Sequence, residues 1–264
     1  NQLSFSGANK ERKYSVFSRN AFNGLSRWRR TVGIGGQQRN AVIIGDENVI
    51  VNLYREKNYS EEETDGHARV LNLKTGETQR ILTNDISDFD NYLDNRDLGY
   101  KKTESMMVLH EKVLFKAAGK YFVGIDVENN QRLWTYEVDE VAQYPAVSAD
   151  GQYVYIAEAT RNLHFSRWPS GVINAITCLN AKTGTVEWRN TEVSGLGITY
   201  LVWHKGKILF HGASGIGTYA HNRGLEEDPY FQVGVIDEEG EVIWQSDFWE
   251  TEKQEYVVQG SFIR

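Results

Sequence analysis

The sequence predicts an all-β chain built from a repeated four-stranded antiparallel unit. Three observations carry this expectation. A segment made of an apolar strand, an Asn or Asp, a Gly- or Asn-bearing turn and a second strand with a terminal anchor occurs five times. The anchors stand at positions 28, 80, 134, 188 and 244, at intervals of 52, 54, 54 and 56 residues. Each interval also holds two further strand-like runs joined by a tight turn, and helical periodicity is sustained nowhere.

Taken in order, the outer hairpins are Phe17–Trp28, Val70–Arg80, Gly124–Trp134, Cys178–Trp188 and Val235–Trp244. The inner hairpins are Ala41–Leu53, Met106–Phe115, Ala146–Ile156 and Tyr200–Phe210, where Asp150-Gly151 and Lys205-Gly206 supply the positive φ that such turns need. Two hairpins per repeat make a four-stranded sheet, the blade of a β-propeller. The N-terminal region offers Leu3–Ser6, Tyr14–Phe17 and Leu25–Trp28 but no first strand, and Tyr256–Ile263 offers a first strand alone. One domain over 1–264 follows, with blades at 1–32 plus 256–264, 33–82, 104–138, 143–193 and 197–249. Joining the two ends in one blade would close a ring of five and remove exposed sheet edges. The alternative is a run of consecutive blades from a longer propeller.

Composition narrows the function. With 264 residues, 40% hydrophobic and 12% aromatic, the chain has material for a large core. Its 29 Lys and Arg against 36 Asp and Glu give a net charge of −7, which argues against nucleic acid, whose binders neutralise phosphates with cations. No apolar run approaches the roughly 20 residues of a membrane span. A single Cys178 excludes an internal disulfide framework and a Cys-based zinc cluster. Asn1 in place of Met is expected of a processed or excised chain.

The segments Asn180-Ala-Lys-Thr-Gly-Thr-Val-Glu-Trp188 and Asp126-Val-Glu-Asn-Asn-Gln-Arg-Leu-Trp134 resemble the pyrroloquinoline-quinone-like (PQQ-like) propeller repeat, Asp-x-x-Thr-Gly-x-x-x-Trp. The resemblance covers nearly the whole chain and implies seven or eight blades and an extracellular or periplasmic setting. Its members include quinoprotein dehydrogenases, an outer-membrane assembly scaffold and sensor domains. The quinone enzymes carry a pair of adjacent cysteines that this chain lacks, so PQQ itself is not expected as a cofactor.

Naming the strands A to D from the axis outward, the A–B and C–D turns are short. The long segments, 54–67, 83–105, 158–174 and 212–230, are B–C and D–A connections, which emerge on one face. Loops of this length point to a task, so that face is the candidate functional surface. It offers Tyr54, Arg55, Tyr59 and His67; Arg161, His164, Phe165, Arg167 and Trp168; and Tyr219, His221, Arg223 and Tyr230. Aromatic faces stack on sugar rings and Arg forks pair with carboxylate or sulfate, which makes Tyr54, Arg55, Arg161, Trp168 and Tyr230 candidate ligand-binding residues. His164, Arg167, Tyr219, His221 and Arg223 could also run proton abstraction beside a uronate, Arg neutralising the carboxylate while His and Tyr exchange protons.

Asp85, Asp88, Asp90 and Asp94 in the acidic stretch 84–97 have the oxygen chemistry of a Ca²⁺ site, without the spacing of an EF-hand, and read first as a solvated loop and second as such a site. Glu61–Asp65 is a weaker case. His110 and His204 fall at A–B turns and read as solvated; His211 reads as the end of a B strand. Trp28, Trp134, Trp188 and Trp244 read as anchors packed between blades, and Cys178 as a small buried hydrophobe. Gly33–Gly36 enters a strand, so it is no phosphate loop. The expected function is an extracytoplasmic module that binds a polysaccharide or protein partner through its insertion-rich face. The alternatives are a lyase or hydrolase of an anionic polysaccharide and a quinone-dependent oxidoreductase fragment.

Overall fold

The computed structural model describes residues 13–34, 42–52, 67–86, 93–95, 100–102, 105–139, 141–160, 172–193, 197–214, 230–246 and 249–250. Every regular element among them is a strand. β1 (Lys13–Arg19) and β2 (Ser26–Ile34) form a two-stranded ribbon. Four four-stranded antiparallel sheets follow, each running strand beside next strand. They are β3 (Val42–Ile44), β4 (Asn48–Asn52), β5 (Ala68–Asn72) and β6 (Thr78–Ile81); then β9 (Ser105–His110), β10 (Val113–Ala118), β11 (Tyr121–Asp126) and β12 (Gln131–Glu137). Next come β13 (Val141–Val147), β14 (Tyr153–Thr160), β15 (Val172–Asn180) and β16 (Val186–Asn190), and β17 (Gly197–His204), β18 (Lys207–Ser214), β19 (Tyr230–Ile236) and β20 (Val242–Gln245). The 83–105 connection contains a small hairpin, β7 (Leu93–Asn95) with β8 (Tyr100–Lys102), where the sequence suggested only a loop. A short β21 (Trp249–Glu250) adds to β19.

This is a β-propeller of four-stranded blades. The first strands of neighbouring blades approach one another, β3 with β9, β9 with β13 and β13 with β17, as they must around a common axis. The ribbon β1–β2 stands at the C and D positions of the first unit. Residues 1–12 and 251–264, on which closure within this chain would rest, lie outside the described residues.

The apolar residues divide into four cores, each formed by the facing sides of two consecutive blades. Val49, Val51 and Leu71 meet Val16 and Trp28. Ile50, Val70 and Leu82 meet Leu114, Val123 and Ile125. Phe115, Phe122 and Trp134 meet Val154, Ile156 and Leu179. Tyr155, Ile176 and Cys178 meet Leu201, Ile208 and Phe210. A strand sandwiched between blades is therefore apolar on both sides, as in β10, whereas the outer strands β6 and β20 expose most of their length.

The repeat motif has a mechanical meaning. Its Asn or Asp caps the C–D turn: Asn72 Oδ1 accepts from Lys74 N at 2.8 Å and Thr75 N at 3.0 Å, and Asp126 and Asn180 do the same. The next residue's carbonyl accepts from the anchor of the preceding blade. Trp28 Nε1 donates to Leu73 O at 2.9 Å, Trp134 Nε1 to Ala181 O at 2.8 Å and Trp188 Nε1 to Glu238 O at 2.7 Å. The indole lies across the turn glycine, where an added Cβ would stand 2.5 Å from Trp28 at Gly76 and 2.7 Å from Trp134 at Gly184 and from Trp188 at Gly240. In the blade anchored by Arg80, the guanidinium donates to Val127 O, and Asn130 replaces the glycine at φ 50°. Trp244 departs from the expectation of interblade packing: it is 54% exposed, and among the described residues no further sheet is set against its own.

Two smaller expectations also change. His110 is half-buried rather than solvated, its ring lying over Gly151 of the next blade's A–B turn. His204 is exposed as expected, and His211 sits inside β18, paired with Tyr200 and Val233, not at a strand end. Strand β13 is irregular, with a register shift between Gln143 and Ala146 and buried Tyr144 at φ 51°.

Candidate functional site

The antiparallel order puts the A–B turns and the C–D turns on one face and the B–C and D–A connections on the other. The B–C link of the blade β9–β12 is only the Gly119–Lys120 turn, so elaboration is confined to the other blades. Among the residues expected to form the site, Tyr54, Arg55, Arg161, His164, Arg167, Trp168, Tyr219, His221 and Arg223, together with Asp88 and Asp90, lie outside the described residues. Tyr230 opens β19 and Asp94 is central in β7, placed by backbone alone. What the structure does describe is how the roots of these loops are held.

Two buried ionic clusters do this. In the first, Asp85, at the start of the 83–105 connection, has a fully buried carboxylate. It accepts from Ala68 N at 2.8 Å, from Lys116 Nζ at 2.9 Å and from His67 Nδ1. Lys116, in the middle of β10 and itself fully buried, also donates to Ile86 O at 2.8 Å. An ammonium in such a place persists only with a counter-ion and further acceptors, and it has both. The cluster ties the end of the 54–67 segment, the start of the 83–105 connection and the next blade's second strand into one unit.

The Asp85 carboxylate is thus filled by donors of the protein itself, and Asp88 and Asp90 of the same acidic stretch lie outside the described residues. Among the described residues, no group of three or more His, Cys, Asp or Glu side chains could hold a metal ion.

In the second cluster Glu158, on β14 where the 158–174 loop begins, gathers four donors. Tyr136 OH and Thr177 Oγ1 donate to Oε1 at 2.7 and 2.5 Å, and Arg189 donates to Oε2 from Nε at 3.0 Å and Nη2 at 2.8 Å. Burial pushes the Glu158 carboxyl up, but the bonds from Arg189, Thr177 and Tyr136 outweigh it and hold the group below its usual pKa. Burial, reinforced by Glu158, pushes the Tyr136 phenol up to about 12. The hydrogen bond to Glu158 raises Arg189 further, and that side chain stays 41% exposed. At the root of the 212–230 loop, burial lowers the pKa of His211 and favours its neutral form.

Sequence reasoning passed over Lys116, Tyr136, Thr177 and Arg189. The signal was there in part: a lysine inside Val113–Ala118 and a glutamate inside Tyr153–Thr160 interrupt otherwise apolar strands. Cys178 behaves as expected, buried between Tyr155 on β14 and Trp188 on β16, its thiol pushed up to about 12 by burial. No helix of the described residues is long and apolar enough to cross a membrane.

No protein-family model matches the chain, and no curated protein sequence matches it. Solved structures match it in shape. It is similar to BamB from Moraxella catarrhalis, with a TM-score of 0.52 at 12% identity, over 91% of this chain and 62% of that one. It is similar to the WD40 domain of Toxoplasma gondii coronin, with a TM-score of 0.56 at 9% identity over 91% and 56%. A chain of the Mitotic Checkpoint Complex gives a TM-score of 0.53 at 11% identity over 90% and 58%. The chain thus spans less than two thirds of the length of each of these structures, and at such identities the likeness speaks for the β-propeller fold alone.

Proposed function

We propose that this chain is a recognition module of the PQQ-like type, working in an extracellular or periplasmic setting and binding a polysaccharide or protein partner through the face that carries its long B–C and D–A connections. The observation that carries this reading is the placement of the two buried clusters. Asp85 and Glu158 stand at loop roots, and each carboxylate is filled by protein donors that link neighbouring strands or blades. Groups satisfied in this way hold a surface in shape and do little chemistry of their own. Tyr54, Arg55, Arg161, Trp168 and Tyr230 are the residues proposed to contact the partner, by stacking and by forked hydrogen bonds.

One observation favours a second reading, cleavage of an anionic polysaccharide by proton abstraction. Asp85 orients the imidazole of His67 through Nδ1, and this histidine, 20% exposed, closes the 54–67 segment that carries Tyr54, Arg55 and Tyr59.

Thermal unfolding against alginate, heparin and neutral glucans, each with and without Ca²⁺, tests both readings. Binding to the native state raises the melting temperature by mass action. A rise without product supports the recognition module. A rise with the ultraviolet absorbance of an unsaturated uronate supports the lyase. No rise with any polymer removes the polysaccharide and leaves a protein partner.

A further inference from the structure

Of the two ionic clusters at the loop roots, the first is closed to solvent and the second is not. The side chains of Asp85 and Lys116 are fully buried. Arg189 keeps 41% of its side chain exposed, against 8% for its partner Glu158. The exposure follows from the topology. The blade that meets this cluster through Tyr136 reaches the insertion-rich face only by its Gly119–Lys120 turn and the short link between Glu137 and Val141.

A guanidinium carries five N–H groups in one plane. Arg189 gives two of them to Glu158 Oε2, from Nε at 3.0 Å and from Nη2 at 2.8 Å. Among the described residues it makes no other hydrogen bond; the exposed Asp139 acts on it through charge alone. The N–H groups that remain include a parallel pair, one on each terminal nitrogen, along the edge turned away from Glu158. That edge is a second fork, of the spacing that takes both oxygens of a carboxylate. Its plane is set before a ligand arrives, because Tyr136 and Thr177 hold Glu158 in turn at 2.7 and 2.5 Å. Little side-chain freedom is left to lose on binding.

We propose that Arg189 is a ligand-binding residue of the insertion-rich face, taking a uronate carboxylate of a polysaccharide in the fork formed by Nη1 and Nη2. It stands on β16 beside the root of the 158–174 loop, whose sequence carries Arg161 and Trp168. This rests on the reading that the face binds a polysaccharide, and adds to it the class of sugar and a contact borne by a strand. Glu158 already balances the arginine's charge, so the fork selects a carboxylate by its geometry more than by its sign.

Isothermal titration calorimetry of the chain with alginate and with a neutral glucan, well below the melting temperature, tests this with two variants. Arg189→Lys keeps the charge and a bond to Glu158 but has no fork. Thr177→Val removes another donor to the same carboxylate and leaves the fork in place. Both should lower the melting temperature, since both loosen Glu158. Only Arg189→Lys should weaken alginate binding, by about tenfold or more, with Thr177→Val within about twofold of the wild type. Alginate binding that Arg189→Lys leaves unchanged, or that Thr177→Val weakens equally, overturns the proposal and leaves the polysaccharide reading standing. An equal loss of glucan binding in Arg189→Lys overturns the carboxylate as its ligand. A wild-type chain that binds the glucan and not alginate overturns the proposal alone; one that binds neither removes the polysaccharide reading with it.

Discussion

The indole of Trp134 lies across Gly184 of the following blade, so close that a methyl group on that glycine would stand 2.7 Å from the ring. The same relationship joins Trp28 to Gly76 and Trp188 to Gly240, which makes the Trp of one repeat and the Gly of the next a single structural unit written 48 to 52 residues apart. Glycine is required twice over at Gly184: for its φ of 71° and for the close approach.

Gly24 separates these two requirements, having φ 69° but no neighbour. Gly24→Ala should cost about 1 kcal/mol from backbone strain alone, and Gly184→Ala about 2–4 kcal/mol once the clash is added. Urea denaturation of the two variants measures the difference, and equal losses would mean that the indole yields freely.

The Arg80–Asn130 blade offers the converse experiment. Asn130 pays no steric penalty there because its partner is a guanidinium, and its side chain donates to Thr83 Oγ1 at 2.9 Å. Arg80→Trp alone should destabilise, because the new ring meets the Asn130 side chain. Arg80→Trp with Asn130→Gly should recover most of the loss, a coupling on the order of 1 kcal/mol in a double-mutant cycle.

Acid should weaken the fold in two steps of the same sign. His211 has a lowered native pKa, so the native state resists its protonation and stability falls as pH drops below the usual 6.5. Glu158 has a lowered native pKa as well, so its contribution is complete above the usual 4.5 and is lost as pH falls through its depressed native value. Melting temperature against pH should show both declines. The first should vanish in His211→Gln, and the second should shrink in Glu158→Gln, which also costs about 2 kcal/mol at neutral pH through its weakened donors.

Lys116→Met should cost about 3–5 kcal/mol, because it strips the buried Asp85 carboxylate of its counter-charge. The loss should exceed that of Lys112→Met, whose pair with Glu128 lies at the surface. Chemical denaturation distinguishes them.

Much of the fold could be read from local patterns. The 52- to 56-residue interval, the Asn or Asp that caps each C–D turn and the Trp anchors are all features of a single hairpin, repeated. Cys178 was legible as a small residue on an apolar C strand, and it stands, as Gly124 does in its blade, between aromatic cross-strand partners. The Asp85–Lys116 pair was not, since it joins positions 31 apart on different blades, and nothing near Asp85 distinguishes it from the acidic residues that follow. Trp244 is 54% exposed where the other Trp anchors pack on the next blade's turn, because burial of an anchor depends on the blade set against it, a condition its own hairpin does not encode. Loop lengths showed which face is elaborated; which side chains converge on it depends on contacts between loops far apart in sequence.

The central claim is that the B–C and D–A face is the recognition surface. Hydrogen–deuterium exchange with and without a saturating uronate polymer tests it most directly. Protection should appear in 54–66, 161–171 and 215–229, with the C–D turns at 73–77, 127–130 and 181–185 unchanged. Protection confined to those turns and to the A–B turns would place binding on the opposite face and contradict the claim.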